Sequence, residues 1–107
     1  MTNNDKICGL LGLAAKAGKI VFGTEACKSE INKNKVKLVL IALDASEKTK
    51  LNIRKLCCNK EVPVWEGLTI ETLSKAIGKD NKAIVGIKDE SFSHAIIELI
   101  SGGETIG

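Results

Sequence analysis

Four cysteines and one histidine are the first side chains of this sequence to consider as zinc ligands or as reactive groups of an enzyme. A structural zinc site needs four ligands, commonly with pairs of cysteines separated by two other residues (Cys-x-x-Cys). Here Cys57 and Cys58 are adjacent, and Cys8 and Cys27 are far from them and from each other in the sequence. No nucleophile is placed beside His94, which favours a position on a solvated helix face. We therefore expect reduced thiols, no metal site and no catalytic group.

Two glycine patterns come close to known ligand-binding loops and fail on detail. The segment from Gly12 to Lys19 resembles a phosphate-binding P-loop, but five residues separate its glycines instead of four and no Ser or Thr follows Lys19. The segment 9–12 matches the spacing of a nucleic-acid clamp, yet its two inner residues are leucines within a predicted helix. Close helix packing is the better interpretation of this second pattern.

Lysines gather around a predicted helix start near residue 23. Lys16, Lys19 and Lys28 flank the pair Gly23-Thr24, which carries a helix-capping signal. Free amides and the positive dipole end of a helix bind phosphate, and nearby lysines add to that attraction. The pattern indicates a surface that contacts the backbone of a nucleic acid.

A second candidate surface is the stretch from Trp65 to Thr69. Gly67 permits a tight bend, and Leu68 is left apolar just before the next helix. An exposed Leu68 could pack against an unstacked base, whereas covering the edge of a sheet is the commoner role of such a residue. The sequence leaves both alternatives open.

The net charge of +3 conceals an uneven distribution along the chain. Residues 1–60 contain 12 Lys and Arg against 5 Asp and Glu, a net charge of +7, whereas residues 61–107 contain 4 against 8, a net charge of −4. A basic half indicates a polyanionic partner, with the second half acting mainly as scaffold. Lysines that only keep a small domain soluble are the alternative.

Length and composition predict one compact soluble domain over residues 1–107. The chain is 11.4 kDa, 44% hydrophobic and 27% charged with a single proline, which is not the composition of a disordered protein. Its apolar runs fall short of the roughly 20 residues needed to span a bilayer. The amino terminus carries Asp5 where a secretory signal carries bases, so we expect a cytoplasmic protein with no membrane partner.

Hydrophobic periodicity predicts helices that alternate with strands. The helices are expected over about 4–17, 24–32, 47–58, 70–77 and 92–100, and the strands over about 20–22, 38–43, 62–65 and 83–87. The aliphatic run 38–43 is typical of a central strand buried on both faces. This order predicts an α/β fold, a three-layer sandwich with helices on both faces of a sheet of about four strands.

Some individual residues carry their own predictions. Gly9 and Gly12 lie inside the first helix, where they are expected to let another element approach closely. Ala26 is expected to face inward from the second helix together with Cys27 and Ile31. The pair 102–103 of glycines is expected to end the last helix and leave a short frayed tail.

Several ordered segments resemble the L7Ae-type ribosomal protein family. They are Leu10-Leu11-Gly12-Leu13-Ala14, the segment 18–23 (Gly-Lys-Ile-Val-Phe-Gly), the segment 37–46 from Lys37 to Ser46, Val62-Pro63, and the segment 73–79 from Leu73 to Lys79. The resemblance covers nearly the whole chain, and the glycine-rich start together with Asp44-Ala45-Ser46 looks most like the short bacterial YlxQ-like branch. It implies an α/β/α sandwich with a mixed sheet that binds structured RNA, typically a kink-turn, without catalysis or cofactor.

The resemblance also implies positions for the RNA site. The glycine that starts the family's contact motif corresponds to Gly23, and Thr24 fills the variable position after it. The family's polar positions hold Glu25, Ala26 and Ser29, so only the glycine is kept, and the motif's lysine is displaced by one position to Lys28. The family's second contact loop corresponds to the segment 67–70. Losing a side chain that pairs with a base edge removes about 1–3 kcal/mol of discrimination, so RNA binding is implied more strongly than kink-turn selectivity.

The sequence therefore predicts a non-catalytic RNA-binding protein of the translation apparatus. Its partner is expected to be structured RNA, ribosomal or otherwise kink-turn-like. The predicted site residues are Lys16, Lys19, Gly23, Thr24, Glu25, Lys28, Gly67, Leu68 and Thr69. The main alternative is a protein-interaction module that kept the fold and lost specific RNA recognition, and a small cytosolic enzyme is a third.

Overall fold

The computed structural model describes the backbone of residues 1–105 and the side chains of residues 1–101. Its helices are α1 (Asn3–Lys16), α2 (Thr24–Asn32), α3 (Glu47–Lys60), α4 (Ile70–Ala76) and α5 (Glu90–Thr105). Its strands are β1 (Ile20–Phe22), β2 (Leu38–Ile41), β3 (Val64–Glu66) and β4 (Ile84–Ile87). The predicted order of elements is confirmed; β1 and α2 have the predicted bounds, and the bounds of the other elements shift by one to a few residues.

The four strands form one mixed sheet in the order β1-β4-β2-β3. β4 runs antiparallel to both β1 and β2, whereas β2 and β3 are parallel. Consequently β1, β2 and β3 all end, and β4 begins, at one end of the sheet, which we call the carboxyl end. The last strand of the chain lies between the first two, so the loops at this end come from distant parts of the sequence.

Helices cover the sheet in two groups. α2 packs against α3, and α1 packs against α4 and α5. All residues of β2 and β4, the two interior strands, are buried, which confirms a doubly covered central strand at β2. Burying an aliphatic side chain stabilises a fold by about 1.5–3 kcal/mol, so these two strands supply much of the core. The predicted three-layer α/β/α sandwich with a mixed sheet is confirmed.

α1 is capped and hydrogen-bonded to α5 at its amino end, and it terminates at a glycine. The Thr2 hydroxyl accepts from the Asp5 amide at 3.1 Å while the Asp5 carboxylate accepts from the Thr2 amide, which is a capping box. The Asn3 side chain donates to the Leu99 carbonyl of α5 at 3.0 Å. Gly18 ends the helix at a φ of 71°, as predicted. The first helix is therefore held directly against the last.

Several local predictions need correction. A Cβ on Gly9 would meet no atom within 4 Å, so only Gly12, where a Cβ would lie 3.3 Å from the Ala76 carbonyl oxygen, allows a close approach. Ala26 is exposed, because α2 turns Cys27 and Ile31 inward instead. Leu43 lies beyond the end of β2 and is also exposed.

The end of the chain departs from expectation as well. α5 continues through the glycines at 102 and 103 to Thr105, so these glycines do not end the helix. The predicted frayed tail covers residues 104–107; the prediction is wrong for 104–105, whose backbone is helical, and residues 106–107 lie outside the described residues.

Candidate nucleic-acid interface

The amino terminus of α2 differs from those of the other helices in the described part of the chain. At the start of each of those helices, a side-chain oxygen accepts a hydrogen bond from a backbone amide of the first turn. The residues that supply this oxygen to α1, α3, α4 and α5 are, in that order, Thr2, Ser46, Thr69 and Asp89. The capping position of α2 is held instead by Gly23, whose φ of 91° favours glycine and which has no side chain to accept a hydrogen bond. The first amides of α2, beginning at Thr24, are therefore open to an external acceptor.

The loop between α4 and β4, residues 78–83, lies beside this helix start. The Gly23 amide donates to the Ile84 carbonyl at 2.9 Å, which ties the end of β1 to the beginning of β4. The buried Ser74 hydroxyl accepts from the Lys82 amide at 2.7 Å and donates to the Lys82 carbonyl at 3.2 Å. The Lys79 amide donates to the Ser74 carbonyl at 2.8 Å. One serine thus fixes the backbone of a loop that carries two lysines.

Both lysines of this loop lie over one aromatic ring. The Lys79 Nζ is 5.1 Å and the Lys82 Nζ 5.5 Å from the centroid of Phe22. Lys16 and Lys79 line the same groove of about 350 Å³ beside Phe22. We call Lys16, Phe22, Lys79 and Lys82 the Phe22 cluster. Its lysines make no ion pair with any described side chain, so their charge faces solvent.

Two of the predicted site residues largely neutralise each other. The Lys28 Nζ lies 3.6 Å from a Glu25 carboxylate oxygen, one turn apart on α2. The Glu25 side chain is 88% exposed and that of Lys28 is 31% exposed. A phosphate that approaches the amino terminus of α2 therefore meets an internal ion pair here and uncompensated cations on the Phe22 cluster.

Lys19 lies away from the other predicted residues. Its carbonyl accepts from the Lys88 amide at 2.8 Å, at the end of the sheet where β1 begins. Four residues of extended chain, about 13 Å, separate it from Gly23. Gly23 and Thr24 follow Phe22 directly at the carboxyl end of the sheet, and Lys16 lines the groove beside Phe22. Lys19 lies at the opposite end of β1.

The second predicted surface, residues 65–69, is packed inward. Leu68 is 5% exposed and belongs to the core, so it is not the exposed side chain that a contact with an unstacked base requires. The Leu68 carbonyl accepts from the Leu43 amide at 2.7 Å. Gly67 does not have a positive φ; it is needed because a Cβ there would collide with the Trp65 indole. We call residues 65–69 the Trp65 loop.

Charged groups in the Trp65 loop are satisfied within the protein. The Glu66 carboxylate accepts from Arg54 at 3.0 Å and from Lys50 at 3.2 Å. These hydrogen bonds, with that of Arg54 the stronger influence, hold the pKa of Glu66 below its ordinary value. Lys50 also donates to the Leu43 carbonyl at 2.7 Å. This loop is therefore a structural joint between β2, β3 and α3.

The two predicted surfaces lie on opposite edges of the sheet. Gly23 follows β1 and Gly67 follows β3, and both strands are edge strands. Three strand spacings separate them, about 14 Å. Between them lies the 78–83 loop, which supplied no residue to the predicted site.

Sequence reasoning missed Lys79 and Lys82 because they belong to the acidic half of the chain. A local signal was present, since two lysines bracket Asp80-Asn81 immediately before a buried strand. That signal becomes informative only once β4 is known to pair with β1. Charge summed over halves of a sequence does not report which charges meet in the fold.

Two of the cysteines lie in the core, and Cys58 and the histidine lie on the surfaces of helices. Burial raises the pKa of Cys27 to about 12 and that of Cys57 to about 11, while Cys58 is exposed. His94 lies on the surface of α5, 3.8 Å from Glu98. No group of His, Cys, Asp or Glu among the described residues is arranged to hold a metal ion.

None of the described helices is long and apolar enough to cross a membrane.

Two curated bacterial proteins are similar to this chain along most of its length. The chain is 38% identical over 100 residues to the protein named RNA-binding protein YlxQ of Enterococcus faecium, which covers 94% of this chain and 96% of the relative. It is 34% identical over 91 residues to the RNA-binding protein YlxQ of Bacillus subtilis (strain 168), covering 85% and 91%.

Solved structures share the fold. A protein of unknown function from Bacillus halodurans superposes with a TM-score of 0.86 at 34% identity, over 89% of this chain and 96% of that one. The Giardia lamblia 15.5kD RNA binding protein superposes with a TM-score of 0.80 at 20% identity, over 98% and 90%, which shows a common fold. The family model described as Ribosomal protein L7Ae/L30e/S12e/Gadd45 matches residues 5–97, and this chain belongs to that family.

Proposed function

We propose that this protein binds structured RNA without catalysing a reaction, through the amino terminus of α2 and the Phe22 cluster. The observation that carries the proposal is that uncapped helix amides and lysines without ion pairs occur side by side at the carboxyl end of the sheet. Backbone amides and lysine ammonium groups are typical phosphate ligands. The names of the two YlxQ relatives, both RNA-binding proteins, support the same partner.

The proposed site keeps part of the sequence prediction and replaces the rest. Lys16, Gly23 and Thr24 remain, joined by Lys79 and Lys82. Glu25 and Lys28 flank the site as an ion pair. Lys19, Gly67, Leu68 and Thr69 are left out, because one lies at the other end of the sheet and the others in the Trp65 loop.

Recognition is proposed to depend on shape and backbone charge more than on base identity. The groups that face the ligand are lysines and backbone amides, which position a protein on RNA without reading its sequence. A kink-turn and a bulged duplex of equal length should therefore bind with similar affinities. Because three lysines, Lys16, Lys79 and Lys82, would each neutralise one phosphate, the logarithm of affinity should fall with the logarithm of salt at a slope of roughly −2 to −3.

Binding titrations of both RNAs at several salt concentrations test the proposal. Absence of binding to either RNA at low salt would contradict it and favour the protein-interaction module. A wild-type preference for the kink-turn of at least about tenfold, or 1.4 kcal/mol, would contradict the proposed reliance on backbone charge. The variant Glu25→Asn/Ala26→Glu, which restores the family's polar positions, should gain about 1–3 kcal/mol for the kink-turn.

The proposed setting is the translation apparatus in the cytoplasm. Its support is the ribosomal-protein family to which the chain belongs. Sedimentation of cell extracts through a sucrose gradient tests it, with the protein expected in ribosomal fractions at low salt and released at high salt. A protein that stays at the top of the gradient under both conditions would contradict this setting.

A further inference from the structure

A stripe of polar side chains runs along the outward face of α3. Its members recur at intervals of four, three and four residues, which places them on one narrow side of a helix. All are exposed, while Ile53 and Cys57 bury the opposite side. The members, which we call the α3 stripe, are Lys48, Asn52, Lys55 and Asn59.

The lysines of the α3 stripe lack the compensation found on the neighbouring helix. On and just after α2, Lys28 lies 3.6 Å from Glu25, and Lys33 lies 3.7 Å from Glu30. The described side chains place no carboxylate within ion-pair distance of Lys48 or Lys55. The stripe thus presents two cations and two amides with no acid among them.

The position of the α3 stripe links it to the proposed RNA site. α2 and α3 follow the parallel strands β1 and β2, so both helices begin at the carboxyl end of the sheet. The Lys60 Nζ donates to the Asn32 carbonyl at 3.2 Å, which joins their other ends. The stripe therefore starts at the same end as the uncapped amides of α2 and extends about 16 Å away from it.

The chemistry of the α3 stripe favours a phosphate backbone over a protein surface. Ammonium and amide groups are hydrogen-bond donors suited to phosphate and ribose oxygens. A protein interface needs a desolvated apolar centre, whereas α3 exposes one large apolar side chain, Leu51, at 64%. A single leucine between lysines is better suited to the edge of a ribose than to the centre of a protein interface.

We propose that the α3 stripe is a second contact for the RNA backbone, engaged by a helical arm that extends beyond the site at α2. This inference rests on the proposed function, since the α2 site positions the RNA whose arm then reaches the stripe. A short RNA fills the α2 site alone, and a longer one also contacts Lys48 and Lys55.

Binding of the full-length chain to RNAs of different arm length tests this inference. The probes are one bulged RNA with short arms and two versions in which either arm is extended by about ten base pairs, roughly one helical turn. The variant is Lys48→Ala/Lys55→Ala, and the control is Lys6→Ala/Lys35→Ala, which removes the same charge from two other exposed lysines without ion pairs among the described side chains. Lys48→Gln/Lys55→Gln keeps polar side chains and serves as a second variant.

The stripe variants should bind one of the extended RNAs about tenfold more weakly than wild type, with a salt slope shallower by about 2. Their affinity for the short RNA should match that of wild type, and the control should change little with any probe. Equal losses in the stripe variant and the control would overturn the inference and leave only general charge attraction. If the stripe variant binds both extended RNAs as tightly as wild type does, the inference is overturned while the proposed function stands. The same holds if the variant loses a co-purifying protein and its RNA binding is unchanged. Failure of wild type to bind any of the RNAs would refute the proposed function and this inference together.

Discussion

The β1 edge and the β3 edge of the sheet present the same kinds of residue at the carboxyl end. Each has an aromatic side chain, a glycine within two residues of it and a pair of nearby cations. At the β1 edge, Lys79 and Lys82 lie over Phe22 with no carboxylate partner among the described side chains. At the β3 edge, Lys50 and Arg54 are both bound to Glu66.

The glycines of the two edges also differ in the space around them. A Cβ on Gly23 would meet nothing within 4 Å, whereas one on Gly67 would enter the Trp65 ring. Similar composition therefore produces a solvent-facing cationic surface at one edge and an internally satisfied joint at the other. One carboxylate, Glu66, accounts for most of the difference, because it forms ion pairs with both cations of the β3 edge.

The largest expected effect is at the crowded glycine. Gly67→Ala should lower the free energy of unfolding by about 1–3 kcal/mol, because the new methyl group overpacks against Trp65. Gly9→Ala is the matched control, since its Cβ meets nothing and alanine is preferred inside a helix; it should raise stability by about 0.5–1 kcal/mol. Denaturant unfolding measures both, and equal changes in the two variants would contradict the close packing of Gly67 against Trp65 that marks the β3 edge.

Removing the cations of each edge should separate binding from stability. Lys79→Ala/Lys82→Ala should weaken RNA binding about tenfold and make the salt slope shallower by about 2 while leaving thermal stability nearly unchanged. Lys50→Ala/Arg54→Ala removes the same charge but leaves Glu66 without partners, so it should lower stability and affect RNA binding less. A reversed pattern in binding titrations and thermal melts would exchange the roles that we assign to the two edges.

A smaller effect is expected from the ring that positions the lysines. Phe22→Leu keeps an apolar side chain and removes the aromatic face, which contributes about 0.5–1 kcal/mol per exposed cation–π contact. RNA affinity should fall about two- to fivefold, with the salt slope unchanged because the charges remain. A changed slope would show that the substitution disturbs more than the placement of Lys79 and Lys82.

The smallest expected effect is on the pH dependence of stability. The folded protein holds the pKa of Glu66 below the ordinary value of 4.5. Its interactions with Arg54 and Lys50 are therefore fully present above that value and are lost as the pH falls through the lowered pKa. The stability advantage of wild type over Glu66→Gln should shrink on acidification, and a difference that stays constant in denaturant unfolding down to low pH would contradict this role of Glu66.

The elements of the fold were predictable because they are encoded locally. The aliphatic runs of β2 and β4 and the capping residues Ser46 and Thr69 indicated strands and helix starts without any knowledge of their neighbours. Helix ends were less accurate, as at α5, whose backbone continues past the two glycines that were expected to end it.

The candidate site was predictable only where its parts are adjacent in sequence. Gly23 and Thr24 follow β1 directly, so the uncapped helix start could be inferred. Lys79 and Lys82 reach the same place through the pairing of β4 with β1, which no local pattern specifies. One interpretation of Leu68 required an exposed side chain, whereas the structure packs it in the core, and no local pattern specifies that packing.

The hydrogen bond between Asn3 and Leu99 spans 96 residues and has a consequence for the order in which the fold forms during synthesis. α1 is synthesised before α5, one of the elements it packs against. Among the described strands, β1 pairs with β4 alone, and β4 is separated from it by three helices and two strands. Since domains complete folding only when their distant contacts are available, the native core of these residues cannot form before β4 and α5 have left the ribosome.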